Sequence, residues 1–270
     1  MTAPMLAFEA PFIDTRMAIE LGDYIFAIAP FLRGPKADPE YHAVIECANI
    51  PLYLDNGEYE GFRMETSEFI SLGFDWSASA LVAPDVIGDK DETLRLVRNF
   101  LDQMDKSGYE KEGEGYWKPD IMGVLQGKDR QDKIDCYFQY KEWGVDIIGL
   151  ALGAFEKDWR ARIEFSLMLQ LLIEIHNSPR DRMHILGIRN IADLCWWVDI
   201  AESIDTSLPF HCAQKGLELP NCQKKGKLDW NRELDTRGVV TAFNNVKYMK
   251  EALEGTFEYW KKDGQLTSRV

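Results

Sequence analysis

ALVAPDVIGD, residues 80–89, decides the fold: an apolar run from Ala80 to Pro84 stops at Asp85, and Gly88 follows three residues on. Four other stretches repeat the design. They are PLYLDNGEYEG (51–61) around Asp55, IMGVLQG (121–127) reaching Gln126, VDIIGLALG (145–153) around Gly149, and SIDTSLPF (203–210) around Asp205. Parallel strands are buried on both faces, so they read as unbroken apolar runs. In parallel barrels the chemistry sits at the C-terminal ends of the strands, with each residue taken from a different strand.

Outward from these stretches the chain alternates strand with helix. Strands are predicted at Tyr24 to Ala29, Leu52 to Asp55, Ala80 to Pro84, Ile121 to Leu125, Val145 to Ala151, Met183 to Gly187 and Ser203 to Asp205. An eighth is placed in RGVVTAF (237–243). Between them lie helical patterns such as DKDETLRLVRNFLDQM, capped by Asp89 or Asp91, RQDKIDCYFQYKEWG, stopped by Gly144, and NIADLCWWVDIAE, opened by Asn190. Seven or eight strands separated by helices predict an α/β fold, a (β/α)8 TIM barrel. At 270 residues, the chain fits one such domain spanning 1–270. Gly108 to Lys118, rich in Gly, Glu and Tyr, reads as a flexible surface loop.

A net charge of −14 counts against polyanion partners at long range. A local basic face remains open in QKKGKLDWNR, with Lys224, Lys225, Lys227 and Arg232. Taken alone, that segment reads equally as a solvated loop. No apolar run is long enough for a membrane span, and the first residues do not read as a signal peptide. Five scattered cysteines argue against a disulfide framework and for a reducing compartment, so a cytoplasmic location is expected.

In content and order these motifs resemble the guanine transglycosylases, barrel enzymes that exchange guanine in tRNA for a 7-deazaguanine. The resemblance runs from about Leu52 to Gly216. Asp55-Asn56-Gly57-Glu58-Tyr59 matches the family's D-x-G-G-F segment. It implies Asp55 as general acid/base and Tyr59 as the aromatic that stacks on the base. Asp85 matches the aspartate that binds the guanidine-like edge, and Gln126 the V-Q-G glutamine at the carbonyl face. Gly149 and Leu150 fall in the G-G-L-A segment, whose backbone finishes that face. His184-Ile185-Leu186-Gly187 matches Y-L-M-G, which makes Leu186 the second wall. Ile204-Asp205-Thr206-Ser207-Leu208-Pro209 matches the nucleophile segment, so Asp205 is the implied nucleophile.

The implied chemistry is base exchange with retention at the sugar. That takes two displacements, with one carboxylate attacking and a second carboxyl carrying protons. Taken singly, each aspartate also reads as a cap or a turn residue.

The chain departs from the family at two places. The C-x-C-x-x-C zinc spacing is absent, so no metal and no cofactor are expected, and a site made of His211, Cys212 and Cys222 is the weaker alternative. The family's anticodon-reading arginines are replaced by His211 and Gln214. The changed reader beside a kept base pocket, and a chain shorter than typical tRNA enzymes, resemble the DpdA-type enzymes of phage and bacterial modification islands, which insert 7-deazaguanines such as preQ0 into DNA. On that branch His211, Lys215, Lys224, Lys225 and Lys227 are expected to contact nucleic acid. The expected partners are then DNA and a 7-deazaguanine base, with no membrane. The family's homodimer leans on its zinc region and stays an open option. Three alternatives remain: a tRNA enzyme with altered anticodon contacts, a non-catalytic nucleic-acid-binding or partner subunit of the same fold, and an unrelated barrel hydrolase acting on a nucleoside or sugar.

Overall fold

The structure, a computed structural model, describes residues 3–62, 64–107, 110–111, 115–116, 118–155, 158–175, 181–198, 200–222 and 227–263. In chain order the strands and α-helices begin with β1 (Met5–Phe8), α1 (Thr15–Leu21), β2 (Ile25–Ile28), α2 (Ala29–Leu32), α3 (Pro39–Glu46), β3 (Leu52–Asp55), α4 (Thr66–Asp75), β4 (Ala80–Val82) and α5 (Lys90–Lys106). They continue with β5 (Glu110–Lys111), β6 (Gly115–Tyr116), β7 (Asp120–Val124), α6 (Arg130–Trp143), β8 (Ile147–Ala151) and α7 (Trp159–Ile175). The last are β9 (Arg182–Leu186), α8 (Ile191–Trp196), β10 (Ser203–Thr206), α9 (Leu208–Gln214) and α10 (Thr236–Asp263). Eight parallel strands, in the order β1-β10-β9-β8-β7-β4-β3-β2, alternate with helices. This is the (β/α)8 TIM-barrel class that the apolar runs predict.

Contacts divide the chain into two compact units, one of Met1–Asp23 with Leu150–Val270 and one of Tyr24–Gly149. In the second unit β2, β3 and β4 pair in register, with Ile28 opposite Asp55 and Leu54 opposite Leu81. All four residues of β2 and all three of β4 are buried, as strands covered on both faces must be. Asp89 caps α5 by accepting from the Glu92 amide, and Asp129 caps α6 by accepting from the Asp132 amide. Gly144 ends α6 in the left-handed conformation, at φ 73°, where a side chain would be strained. In the first unit β1 lies beside β10, with Ala7 opposite Asp205, and β10 lies beside β9. Asn190 caps α8 by accepting from the Asp193 amide.

Three expectations are corrected. The eighth strand is not RGVVTAF but MLAF near the N-terminus, since Thr236–Asp263 is one helix. Val239, Val240 and Thr241 are β-branched and suggested a strand. The decisive signal is the longer stripe of Gly238, Thr241, Ala242, Asn245, Val246, Met249 and Leu253, all buried at helical spacing. Secondly, within Gly108 to Lys118, read as a loop, Glu110–Lys111 and Gly115–Tyr116 form a short antiparallel pair with Glu110 opposite Tyr116, while 108–109, 112–114 and 117 lie outside the described residues. Thirdly, Cys212 and Cys222, read as unpaired, form a disulfide. That pairing takes both thiols out of the alternative metal set with His211, and it weakens the reasoning from cysteines to a reducing compartment. Among the described residues no group of three His, Cys, Asp or Glu is placed to hold a metal, and no helix is long and apolar enough to cross a membrane.

Candidate active site

The implied site residues fall in both units. In the second unit Asp55 is the last residue of β3 and is half-buried. Asn56 follows and turns inward. Its side-chain nitrogen donates to the carbonyls of Val82 and Ala83, and its oxygen accepts from the Glu58 amide. Gly57 holds the turn at φ 82°, and a Cβ there would come within 2.8 Å of Pro30 Cγ. The loop that carries Asp55 is thereby tied to the end of β4. Tyr59, at 42% exposure, stands at the surface.

Asp85 lies beyond the end of β4 and is 8% exposed. It is not the cap of α5, a role Asp89 fills. Its Oδ2 accepts from Gln126 Nε2 at 2.5 Å, while Gln126 Oε1 accepts from the Gly88 amide at 3.1 Å. Burial pushes the Asp85 carboxyl up to about 6; the Gln126 bond opposes that shift, and the charge of Glu58 adds to it. Residues of α6 brace the end of β7. Tyr140 donates to the Val124 carbonyl at 3.0 Å, the Cys136 thiol reaches the Gln126 carbonyl at 3.3 Å, and buried Lys133 donates to the Gly127 carbonyl at 2.8 Å. Burial also pushes the Cys136 thiol up to about 11, so it serves as an inert packing group rather than a nucleophile. Gly149 is buried on β8 opposite Val124, and its carbonyl accepts from the Leu125 amide.

A cavity of about 650 Å³ in this unit is lined by Leu52, His42, Asp75 and Trp76 among others. Leu52 opens β3 whereas Asp55 closes it, so this cavity lies at the opposite strand end from the residues above. Barrel chemistry belongs to the C-terminal ends.

In the first unit Asp205 sits inside β10 and is 4% exposed. Its Oδ1 is 3.0 Å from His184 Nε2, and His184 Nδ1 is 2.8 Å from Ser203 Oγ. Among the described residues nothing donates to Oδ2. Ser207 Oγ, two residues on, is buried and has no hydrogen-bond partner among the described residues. Arg162 on α7 is fully buried. It pairs with both oxygens of Asp193 at 3.1 and 3.0 Å, and donates to the carbonyls of Leu150, Leu186 and Gly187. Desolvation pulls the guanidinium below its ordinary value, and the charges of Asp193 and Asp205 push it back. This one cation holds the backbone carbonyls of two implied base-binding residues of the unit, Leu150 and Leu186.

Of the implied nucleic-acid contacts, Lys215 and Lys227 are exposed, while His211 is buried on α9 with Lys215 Nζ 2.6 Å from its Nε2. Lys224 and Lys225 lie outside the described residues. Gln214, which stands where an arginine was expected, is buried, and its amide donates to the Asp229 and Arg232 carbonyls. It therefore holds the following loop.

Two further residues belong with these groups and carried little signal in the sequence. His184 interrupts an otherwise apolar strand, RMHIL, which is a usable hint. Arg162 opens a helical pattern as any exposed arginine would, and nothing local marks it as buried. Compared with protein-family models and with curated proteins, the chain matches none.

Proposed function

We propose that the chain is a guanine transglycosylase that exchanges guanine in DNA for a 7-deazaguanine through a glycosyl-aspartate on Asp205. The carrying observation is Asp205 itself, a buried carboxyl with one oxygen facing an imidazole nitrogen and the other without a donor among the described residues. An attacking carboxylate needs that combination of fixed orientation and one open oxygen.

The reading has Asp205 and Asp55 act on the same nucleotide. In the first displacement Asp205 Oδ2 bonds to C1′ as the C1′–N9 bond breaks, and the departing guanine takes a proton from Asp55. In the second, the incoming base gives its N9 proton to Asp55, N9 bonds to C1′, and the C1′–Oδ2 bond breaks to restore the carboxylate. Asp85 and Gln126 support recognition of a purine with a donor-rich edge and a neighbouring carbonyl. Asp85 accepts, and a bound donor edge would draw its raised carboxyl back toward the ionised form. Gln126 spends one amide hydrogen on Asp85 and has no other acceptor among the described residues, leaving the second for a base carbonyl. A nucleotide reaches such groups only when out of its stack.

The test is release of labelled guanine, driven by preQ0, from duplex DNA and from tRNA. Release from DNA is expected. Release from tRNA alone rejects the DNA substrate, and release from neither points to a non-catalytic subunit.

A further inference from the structure

We propose that His184 is a positioning residue for Asp205: it keeps its proton on Nε2, ties down Oδ1, and so selects Oδ2 as the attacking oxygen. This deepens the proposed function and rests on it. The His184 ring is fully buried, with Ser203 Oγ at 2.8 Å from Nδ1 and Asp205 Oδ1 at 3.0 Å from Nε2. An ionised carboxylate can only accept. The ring nitrogen facing it must therefore carry hydrogen, or two lone pairs would meet in a buried site. A serine hydroxyl donates or accepts as needed, so Ser203 can give its hydrogen to a bare Nδ1. The resulting chain runs one way, from the Ser203 hydroxyl to Nδ1 and from Nε2–H to Oδ1. Among the described residues, His184 on β9 bonds to Asp205 and Arg162 on α7 is in its electrostatic reach, and Arg162 is itself paired with Asp193 on α8. On β1, the residue in register with Asp205 is Ala7, which carries no charge.

The bond has a consequence for both displacements. When Oδ2 bonds to C1′, Asp205 becomes an ester and Oδ1 its carbonyl oxygen, which still accepts from Nε2–H. When the C1′–Oδ2 bond breaks, the electron pair returns to the carboxylate and charge grows on Oδ1. A hydrogen bond that strengthens as charge develops lowers that barrier more than it aids binding. His184 is thus assigned mainly to the breakdown of the glycosyl-enzyme.

The experiment has two arms on the intact chain. The first records ¹⁵N spectra of His184. A proton on Nε2 is expected, and a ring protonated only on Nδ1 overturns the proposal. The second compares His184→Leu with His184→Gln in single-turnover exchange. Leucine removes the donor and is expected to slow breakdown of the trapped intermediate by roughly 10–100-fold, the weight of a hydrogen bond to a charged group, with KM little changed. Glutamine, whose amide nitrogen reaches about as far as Nε2, is expected to restore most of the rate. Equal losses in both variants, or no loss in either, overturn the proposal. Should the leucine variant fail to fold, the ¹⁵N result decides. A wild-type chain that exchanges no base removes the proposed function and leaves the ¹⁵N result standing. A ring protonated only on Nδ1 in an active enzyme removes this inference alone.

Discussion

Asp85 and Asp205 are both buried carboxyls at or beside the end of a strand, yet their surroundings treat them in opposite ways. Asp85, in the second unit, has a neutral amide as its partner and an acidic residue, Glu58, in electrostatic reach; its carboxyl is pushed up to about 6. Asp205, in the first unit, has an imidazole nitrogen on one oxygen and a buried guanidinium in electrostatic reach. Burial is common to both, so it does not decide what a carboxyl is for. A carboxyl beside an amide suits recognition of donors, whereas one beside an imidazole and a cation suits attack.

The contrast is most severely tested at Arg162. Replacing it with methionine leaves Asp193 buried without its cation and frees three carbonyls. Stability in urea is expected to fall by about 3–5 kcal/mol. A loss under about 1 kcal/mol would mean that the Arg162–Asp193 pair does not hold this end of the unit together.

Next in size is Asp85→Asn. A carboxyl whose folded value lies above its unfolded value favours folding most at low pH, and that contribution is lost as pH rises through about 6. The wild-type chain therefore carries a penalty above pH 6 that asparagine lacks. The variant should gain up to about 3 kcal/mol at pH 7, from a shift of about two units at roughly 1.4 kcal/mol each. It should gain little at pH 4. Equal gains at both values would sink the assignment of the shift to Asp85. Gln126→Leu is expected to cost about 2 kcal/mol, because it takes a donor from the Asp85 carboxyl and the acceptor from the Gly88 amide. The smallest effect is expected from Tyr140→Phe, about 1 kcal/mol from the lost bond to the Val124 carbonyl.

The same contrast explains what could be read from the chain. Strand ends at Asp55, Asp85, Gln126 and Asp205 were legible because an apolar run that halts on a polar residue is a local pattern. Caps at Asp89 and Asn190 and the stop at Gly144 were legible for the same reason. The first strand was not, since MLAF is only four residues long and precedes any helix that would frame it. Its place beside β10 is a matter of long-range pairing. Partnerships were also hidden. Gln126 meets Asp85 across 41 residues and Arg162 meets Asp193 across 31, so no sequence window contains either pair. His184 faces Asp205 for a geometric reason that spacing does not encode: register sets His184 opposite Ser203, and the ring then reaches diagonally to Asp205.

The central claim, that Asp205 becomes covalently attached to a sugar, has one direct measurement. The chain is incubated with guanine-containing DNA and preQ0, denatured, digested, and the peptides are weighed by mass spectrometry. The account predicts a deoxyribose phosphate adduct, without its base, on the peptide containing Asp205, abolished by Asp205→Asn while the variant stays folded. An adduct on another residue, or base exchange that proceeds undiminished in Asp205→Asn, would contradict it.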